Sequence, residues 1–385
     1  MEKTEKLYYQ DAFLWEFDAL VLACTKEGTA FSVVLDRTAF YPEGGGQGAD
    51  SGTLGGTDVT DVHEKDGVIY HTCAAELPVG AAVHGKIDGV RRFDHMQQHS
   101  GEHICSGMIC AQFHCDNVGF HLGADTVTID FNAEIAWEDL LALEQRANAY
   151  LYENHPAEIR IYRDKEWEGV PYRSKKALEG EVRIVSFPGA DCCACCGTHV
   201  NTSAQVGIVK FLSCRRFRDG VRIELLCGAR AYRYLGDIWA QNLCVAQSLS
   251  AKPTQSAAAV SKLLAENADL HARLAAAEER QCADLAEKYA GSGDVLLFCA
   301  EMSGNSVRRL CDAVAHTCGG RCAVFAGADT AWKYAIADPR DDLQSLVRSL
   351  NDALNGRGGG KAGFAQGSVS AARTEIVAFF RSFFP

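Results

Sequence analysis

Two pairs of metal-type residues, each spaced four apart and separated by about ninety residues, constrain this chain more than any other feature. The first pair lies in His95-Met-Gln-Gln-His99-Ser-Gly-Glu-His103, where histidines recur at i, i+4 and i+8. Residues four apart stack on one face of a helix, so two imidazoles can share one ion. The second lies in Asp191-Cys-Cys-Ala-Cys-Cys-Gly-Thr-His199, with Cys195 and His199 again four apart. One thiolate and three imidazoles suit zinc in softness and in number. A fold that unites His99, His103, Cys195 and His199 must close that long loop over a packed core. A structural knuckle built on Cys192–Cys196 is the competing reading, but it needs a second C-x-x-C pair that the sequence lacks. Cys192, Cys193 and Cys196 are then expected to be small buried apolar residues. His95 is expected at the surface. So is Glu102, which points about 100° around the helix from His103. Four protein ligands make a closed site of the structural kind, so a catalytic role requires one loosely held ligand or an expanded coordination. His199, at the end of its motif, is the ligand expected to be loose.

The 385 residues suffice for two or three domains, and 47% hydrophobic against 23% charged residues permits a sizeable core. The N-terminus has no apolar run of the secretory type, and no stretch reaches membrane-spanning length. The 17 cysteines are therefore read as reduced thiols of a cytoplasmic protein, some of them binding metal. A net charge of −12 argues against a protein that coats nucleic acid, yet a local basic patch could grip one RNA end. Lys210, Arg215, Arg216, Arg218, Arg222, Arg230 and Arg233 form such a run, opposed locally only by Asp219 and Glu224. Either an RNA contact or a solvated strand-and-turn face accounts for it.

Local patterns predict an α+β chain in four parts. Residues 1–90 read as a small barrel-like β domain, with strands such as Phe31–Leu35 and Val68–His71 between glycine-rich turns. Composition alone assigns the densest of these, Phe40–Gly52, to a sharp turn. Residues 91–235 read as an α+β domain, with helices over Asp94–Cys110 and Trp137–Asn154 and strands around Val127–Phe131, Glu181–Phe187 and Val206–Leu226. Residues 236–290 turn helical. Leu263, Asn267, Leu270, Leu274 and Ala277 trace a short coiled-coil seam, open either to a helical hairpin or to a homodimer arm. Residues 291–385 alternate strands and helices as a compact α/β domain, with one helix from Asp341 to Leu354 and a last one ending at Phe384.

His99-Ser-Gly-Glu-His103 together with Cys195-Cys-Gly-Thr-His199 resembles the zinc motifs of the editing domain of alanyl-tRNA synthetases and of their free-standing relatives, the AlaX proteins. Phe40–Gly52 resembles the family's glycine-rich loop, and Val206–Phe211 with Gly220–Leu225 resembles the segment after its Cys/His motif. Gly356-Arg-Gly-Gly-Gly-Lys-Ala-Gly-Phe-Ala-Gln-Gly367 resembles the signature of the synthetase's C-terminal domain, which also occurs on DHH phosphoesterases. The likeness runs the length of the chain in the family's order. Because the chain starts at the β domain, the resemblance implies a free-standing long-form editing protein.

That resemblance implies zinc-dependent hydrolysis of the ester joining a wrong amino acid, serine first and glycine second, to the 3′ end of alanine tRNA. It places Asn117 and His121 among the polar groups that assist, and Gly44, Gly45, Gly46 and Gln47 along the substrate pocket. It makes Arg357 and Lys361 contacts to the tRNA backbone. Two other readings stay open: an editing hydrolase for another tRNA such as threonine tRNA, and a tRNA-binding module whose zinc is structural. A phosphoesterase lacks support, because the Asp-His-His motif is missing.

Overall fold

The computed structural model describes residues 2–163, 166–174, 180–300, 302–338, 340 and 342–383. The expected helix start at Asp341 and helix end at Phe384 lie outside the described residues. Contacts divide the chain into two units, Met1–Leu243 and Cys244–Pro385.

The first unit begins with a closed six-stranded barrel of β1 (Glu16–Glu27), β2 (Ala30–Leu35), β3 (Gly52–Leu54), β4 (Thr57–Lys65), β5 (Val68–Cys73) and β6 (Ala82–Ile87), in spatial order β1-β2-β5-β4-β3-β6. Alternation builds it: Phe17, Ala19 and Val21 point inward between outward Glu16, Asp18 and Leu20. Closure removes free edges, which suits such short strands. Inside, fully buried His71 bonds the Val33 carbonyl through Nδ1 and the Thr38 hydroxyl through Nε2. A carbonyl only accepts, so Nδ1 carries a proton, and burial favours the neutral ring.

Next comes α1 (Gly89–Phe113), whose N-terminus is capped by the Asp88 side chain. Every residue from His95 to Gly107 is buried, so this helix is enclosed on all faces rather than lying on a core. It overturns two expectations. His95 and Glu102 are each only 4% exposed, because this stretch of the helix is covered on every face, the histidine face included. On one side the fully buried Arg92 guanidinium binds Asp50 and the carbonyls of Ala12 and Ala39, fastening the helix to the barrel segment. On another runs the antiparallel sheet of β7 (Asn117–Leu122), β8 (Val127–Phe131), β12 (Val209–Phe217) and β13 (Gly220–Cys227), in order β12-β13-β8-β7. The α2 helix (Trp137–Tyr152) and a second sheet of β9 (Glu158–Tyr162), β10 (Val182–Phe187) and β11 (Asp191–Ala194) complete the surround. The α3 helix (Gly228–Ser248) follows.

The second unit contains α4 (Ser256–Lys288) and a five-stranded sheet in order β14-β15-β16-β18-β17. Its strands are β14 (Gly293–Cys299), β15 (Gly319–Ala328), β16 (Ala331–Ala337), β17 (Arg357–Lys361) and β18 (Phe364–Ser370). Helices α5 (Gly304–Cys318), α6 (Gln344–Ala353) and α7 (Arg373–Phe380) accompany them. The β14–β15 pairing is parallel across α5, and the remaining strands are antiparallel. Of the seam residues, Leu263, Leu270 and Leu274 stand exposed on α4. No described helix is long and apolar enough to cross a membrane.

Four members of the basic run form ion pairs, three of them with residues distant in sequence. Lys210 pairs with Glu144, Arg215 with Glu224, Arg222 with Asp130, and Arg230 with Asp94.

Burial lowers the His71 pKa from 6.5 to about 4. A histidine held neutral in the fold takes up its proton more readily when unfolded. Its contribution is therefore intact above pH 6.5 and lost as pH falls toward 4, a loss of roughly 3 kcal/mol at about 1.4 kcal/mol per unit. Denaturant unfolding of wild type and His71→Gln at pH 7 and pH 4.5 checks this. The substitution should flatten the pH dependence.

Candidate metal centre

The glycine-rich segment folds as a tight two-residue turn. Gly44 and Gln47 exchange both backbone hydrogen bonds, and Gly45 and Gly46 between them have φ of +61° and +88°. Two successive positive φ values require glycine, so the turn reading of this segment is the structural one. What the turn delivers is Gln47, fully buried, whose Nε2 donates to Thr198 Oγ1 at 2.9 Å. Its Oε1 accepts from His99 Nδ1 at 2.8 Å and from the Thr198 amide at 3.2 Å.

All four expected ligands converge: His99, His103, Cys195 and His199 hold donor atoms within 4.8 Å of one another. Cys195 Sγ lies 3.4 Å from His99 Nε2 and 3.3 Å from His199 Nε2. Each imidazole is oriented from behind through Nδ1. Gln47 holds His99, Asp191 Oδ2 holds His103 at 2.9 Å, and the Ser100 hydroxyl holds His199 at 3.3 Å. The three Nε2 atoms are thus left facing one another, the arrangement in which an outer partner sets tautomer and aim for a metal. Asp191 is itself pinned by Arg173 Nε at 2.7 Å. It reaches His103 because Gly107 has no side chain. A Cβ there would lie 2.2 Å from the Ala190 carbonyl oxygen and 2.6 Å from Asp191 Cβ.

The electrostatics match a thiolate among imidazoles. Burial opposes charge on Cys195, but His99, His199 and His103 outweigh it and hold the thiol well below its usual range. Burial likewise opposes a charged His103, yet Cys195 and Asp191 raise it well above the histidine range. Asp191 is pushed up by burial and pulled further down by His103 and Arg173. His199 is lowered, chiefly by burial. A thiolate is what a cation needs, and His103 would have to give up its proton as an ion is taken up.

Other expected residues are placed as follows. Asn117 is buried beside α1, its Nδ2 donating to Glu102 Oε1 at 2.9 Å and Ser106 Oγ at 2.8 Å, while its Oδ1 is buried without a partner. His121 is not brought to the cluster. A register shift after Asn117 puts Asn117, Phe120 and Leu122 opposite the buried Phe131, Ile129 and Val127, leaving His121 on the outer face with Thr128. Phe120 takes the inner place, stacked on the His99 ring at 4.9 Å. Cys193 is buried and Cys192 half-buried, but Cys196 is exposed, contrary to expectation, because its side chain lies beside the open glycine turn. His199, the ligand expected to be loose, is fully buried. In the second unit Arg357 and Lys361 lie exposed on β17, and Arg357 lines a cleft of about 610 Å³ with Ser303, Lys333, Tyr334 and Gln366.

Sequence reading missed Ser100, Asp191, Thr198 and Arg173 as supports. Asp191 and Thr198 stand inside the Cys/His motif, but nothing local marks which long-range partner each would meet.

Three family signatures match the chain in order. They are described as tRNA synthetases class II (A) over residues 3–91, Threonyl and Alanyl tRNA synthetase second additional domain over 182–224, and DHHA1 domain over 293–384. The alanyl-tRNA editing protein AlaX-L of Pyrococcus horikoshii is 36% identical over 61% of this chain and 60% of its own length. The alanine–tRNA ligase of Natronomonas pharaonis is 31% identical over 95% of this chain and 42% of its own. The chain thus spans less than two thirds of either relative. The alanyl-tRNA editing protein Aarsd1 of Danio rerio is 25% identical over 97% of this chain and 96% of its own. Fold, site and matches define a protein of the tRNA-synthetase-related editing class. Within it, the chain is a homologue of the long-form alanyl-tRNA editing proteins.

Gly197 packs directly against a donor ring of the centre. A Cβ there would lie 2.2 Å from His99 Cε1 and 3.0 Å from Gln47 Oε1. Gly197→Ala should therefore weaken metal retention by about 10–100-fold, as displaced outer partners do. Chelator competition on the purified variant measures it, and wild-type retention would contradict the assignment.

Proposed function

We propose that this chain is a hydrolase that clears wrongly attached amino acids from alanine tRNA, serine first and glycine second. The observation that carries the reading is the convergence of four donors, each imidazole backed by its own polar partner, in a homologue of proteins named for alanyl-tRNA editing. Zinc fits the donor set. With bonds of about 2.3 Å to sulfur and about 2.0 Å to nitrogen, tetrahedral zinc puts Sγ and Nε2 roughly 3.5 Å apart. The observed 3.3 and 3.4 Å agree. A bound zinc would supply Lewis acidity at the scissile carbonyl or a more acidic water.

The remaining chemistry belongs to the polypeptide. An aminoacyl ester is already activated, so hydrolysis depends on placing water and stabilising an oxyanion. Gln47, Asp191 and Ser100 hold the imidazoles at fixed angles, and the Gly197 amide donates to Cys195 Sγ at 3.3 Å. Asn117 is the β7 residue carried forward as a polar assistant, because its Oδ1 remains free to accept a hydrogen bond. A site that hydrogen-bonds the serine hydroxyl can reject alanine by roughly 10⁴–10⁵, since alanine leaves buried groups unpaired. Arg357 and Lys361 would take RNA phosphates. Replacing Arg357 with alanine should weaken tRNA binding and reduce the slope of log affinity against log salt by about one.

Deacylation of serine-, glycine- and alanine-charged alanine tRNA and of serine-charged threonine tRNA, with metal quantified on the same sample, tests the proposal. Wild type should hydrolyse the first two and spare the third. Cys195→Ala and chelator-treated protein should lose at least about 100-fold in rate, on the scale of an electrostatic catalytic group. Full hydrolysis by Cys195→Ala would remove the metal from the mechanism. A wild type that binds tRNA without hydrolysing any of the four would favour a binding module, the reading that a closed four-donor centre also permits.

A further inference from the structure

The loop that carries Cys195 is held from outside by a buried cation no motif marks. Arg183 lies on β10 and is 8% exposed. Its Nη1 donates to the Cys195 carbonyl at 2.8 Å and to the Gly197 carbonyl at 2.9 Å, and its own carbonyl accepts from the Cys195 amide at 3.0 Å. The guanidinium sits 5.0 Å from the ring centroid of Tyr9, which belongs to the short turn Leu7–Tyr9 ahead of the barrel. Its Nε is buried without a partner. Among the described residues no carboxylate lies within ion-pair distance of it.

A buried guanidinium with no carboxylate is costly to keep. Here its compensation comes from two carbonyl dipoles, both met by the one Nη1, and from an aromatic face on which the planar guanidinium lies. Those carbonyls are the first and the last of the Cys195–Cys196–Gly197 segment. Fixing them fixes two things at once: the direction of Cys195 Sγ and the Gly197 amide that donates to it. With Arg183 absent, both carbonyls would be left seeking partners and the segment could rotate. The segment's other restraint, Thr198 on Gln47, secures His99 rather than the sulfur.

We propose that Arg183, seated on Tyr9, is a positioning residue for the metal centre, its guanidinium setting the thiolate ligand by clamping the backbone that follows it. The inference rests on the reading of the cluster as a metal site. It also gives the start of the chain a part in that site, because the ring beneath the guanidinium comes from residues ahead of the barrel.

The test compares Arg183→Met, Arg183→Lys and Tyr9→Leu with wild type. The readouts are zinc affinity by chelator competition and the absorption spectrum of the cobalt(II)-loaded protein, whose sulfur-to-cobalt band reports Cys195 in the coordination shell. Circular dichroism establishes that each variant is folded. Arg183→Met should bind zinc about 10–100-fold more weakly, with its sulfur band shifted or diminished. Arg183→Lys, which keeps the charge but ends one atom short of the Nη1 position and has no planar group to lie on Tyr9, should show the same band change and not rescue affinity. Tyr9→Leu should weaken zinc a few-fold in the same direction. Folded arginine variants with wild-type affinity and an unchanged cobalt spectrum overturn the proposal. If Arg183→Met does not fold, Arg183→Lys decides by the same two readouts. A wild type that takes up neither metal overturns the metal reading and this inference with it, whereas equal binding by wild type and variants overturns the inference alone.

Discussion

The hydrogen bonds behind the three imidazoles are the constraint on which the rest of the first unit depends. Each comes from a different part of the chain: Gln47 from the glycine turn, Ser100 from α1 itself, and Asp191 from β11. To bring all three to bear, α1 must be enclosed rather than merely covered, and this is why residues 95–107 are buried without a break. The barrel-side grip of Arg92 on Asp50 and the glycine contact at Gly107 serve the same end. A buried hydrogen bond of this kind contributes about 1 kcal/mol net, but leaving its partner unsatisfied costs more. The centre therefore rewards a chain that completes the whole set.

Enclosure also explains where sequence reading succeeded and failed. The ligands were legible because pairs spaced four apart carry their meaning locally, and the helices and strands lie close to where periodicity placed them. Trp137–Tyr152 and Val127–Phe131 are direct examples. The surface assignments for His95 and Glu102 failed because they assumed a helix with one wet face. His121 failed for a subtler reason. One extra residue in β7 reverses which side chains face inward, and a bulge of one residue leaves no mark in composition. The basic run, open either to an RNA contact or to a solvated face, has partners that composition could not show, since Glu144, Asp130 and Asp94 are brought to it only by the fold.

The glycine segment illustrates how a turn and a functional site can be the same object. As a turn it needs positive φ at Gly45 and Gly46. As a site it contributes one side chain, Gln47, whose amide spans His99 and Thr198 and so joins the two halves of the ligand set. Gln47 thus supports the donor set, with Gly45 beside the Cys196 thiol.

A centre with four protein donors poses the question of where a reacting group would enter. The candidate for a ligand that leaves, His199, is fully buried, and its Nδ1 faces a Ser100 hydroxyl that also accepts from the Val200 amide. Releasing it would break that arrangement and strand a polar ring in the core. Cys195 is no easier to free, with the Gly197 amide on its sulfur and Arg183 on the Cys195 and Gly197 carbonyls. Ligand exchange is therefore the expensive route. In a hydrolytic reading the protein's own polar groups must carry more of the work of placing substrate and water, which makes the unpartnered Asn117 oxygen and the polypeptide around the thiolate the places where selectivity for the aminoacyl group is to be sought.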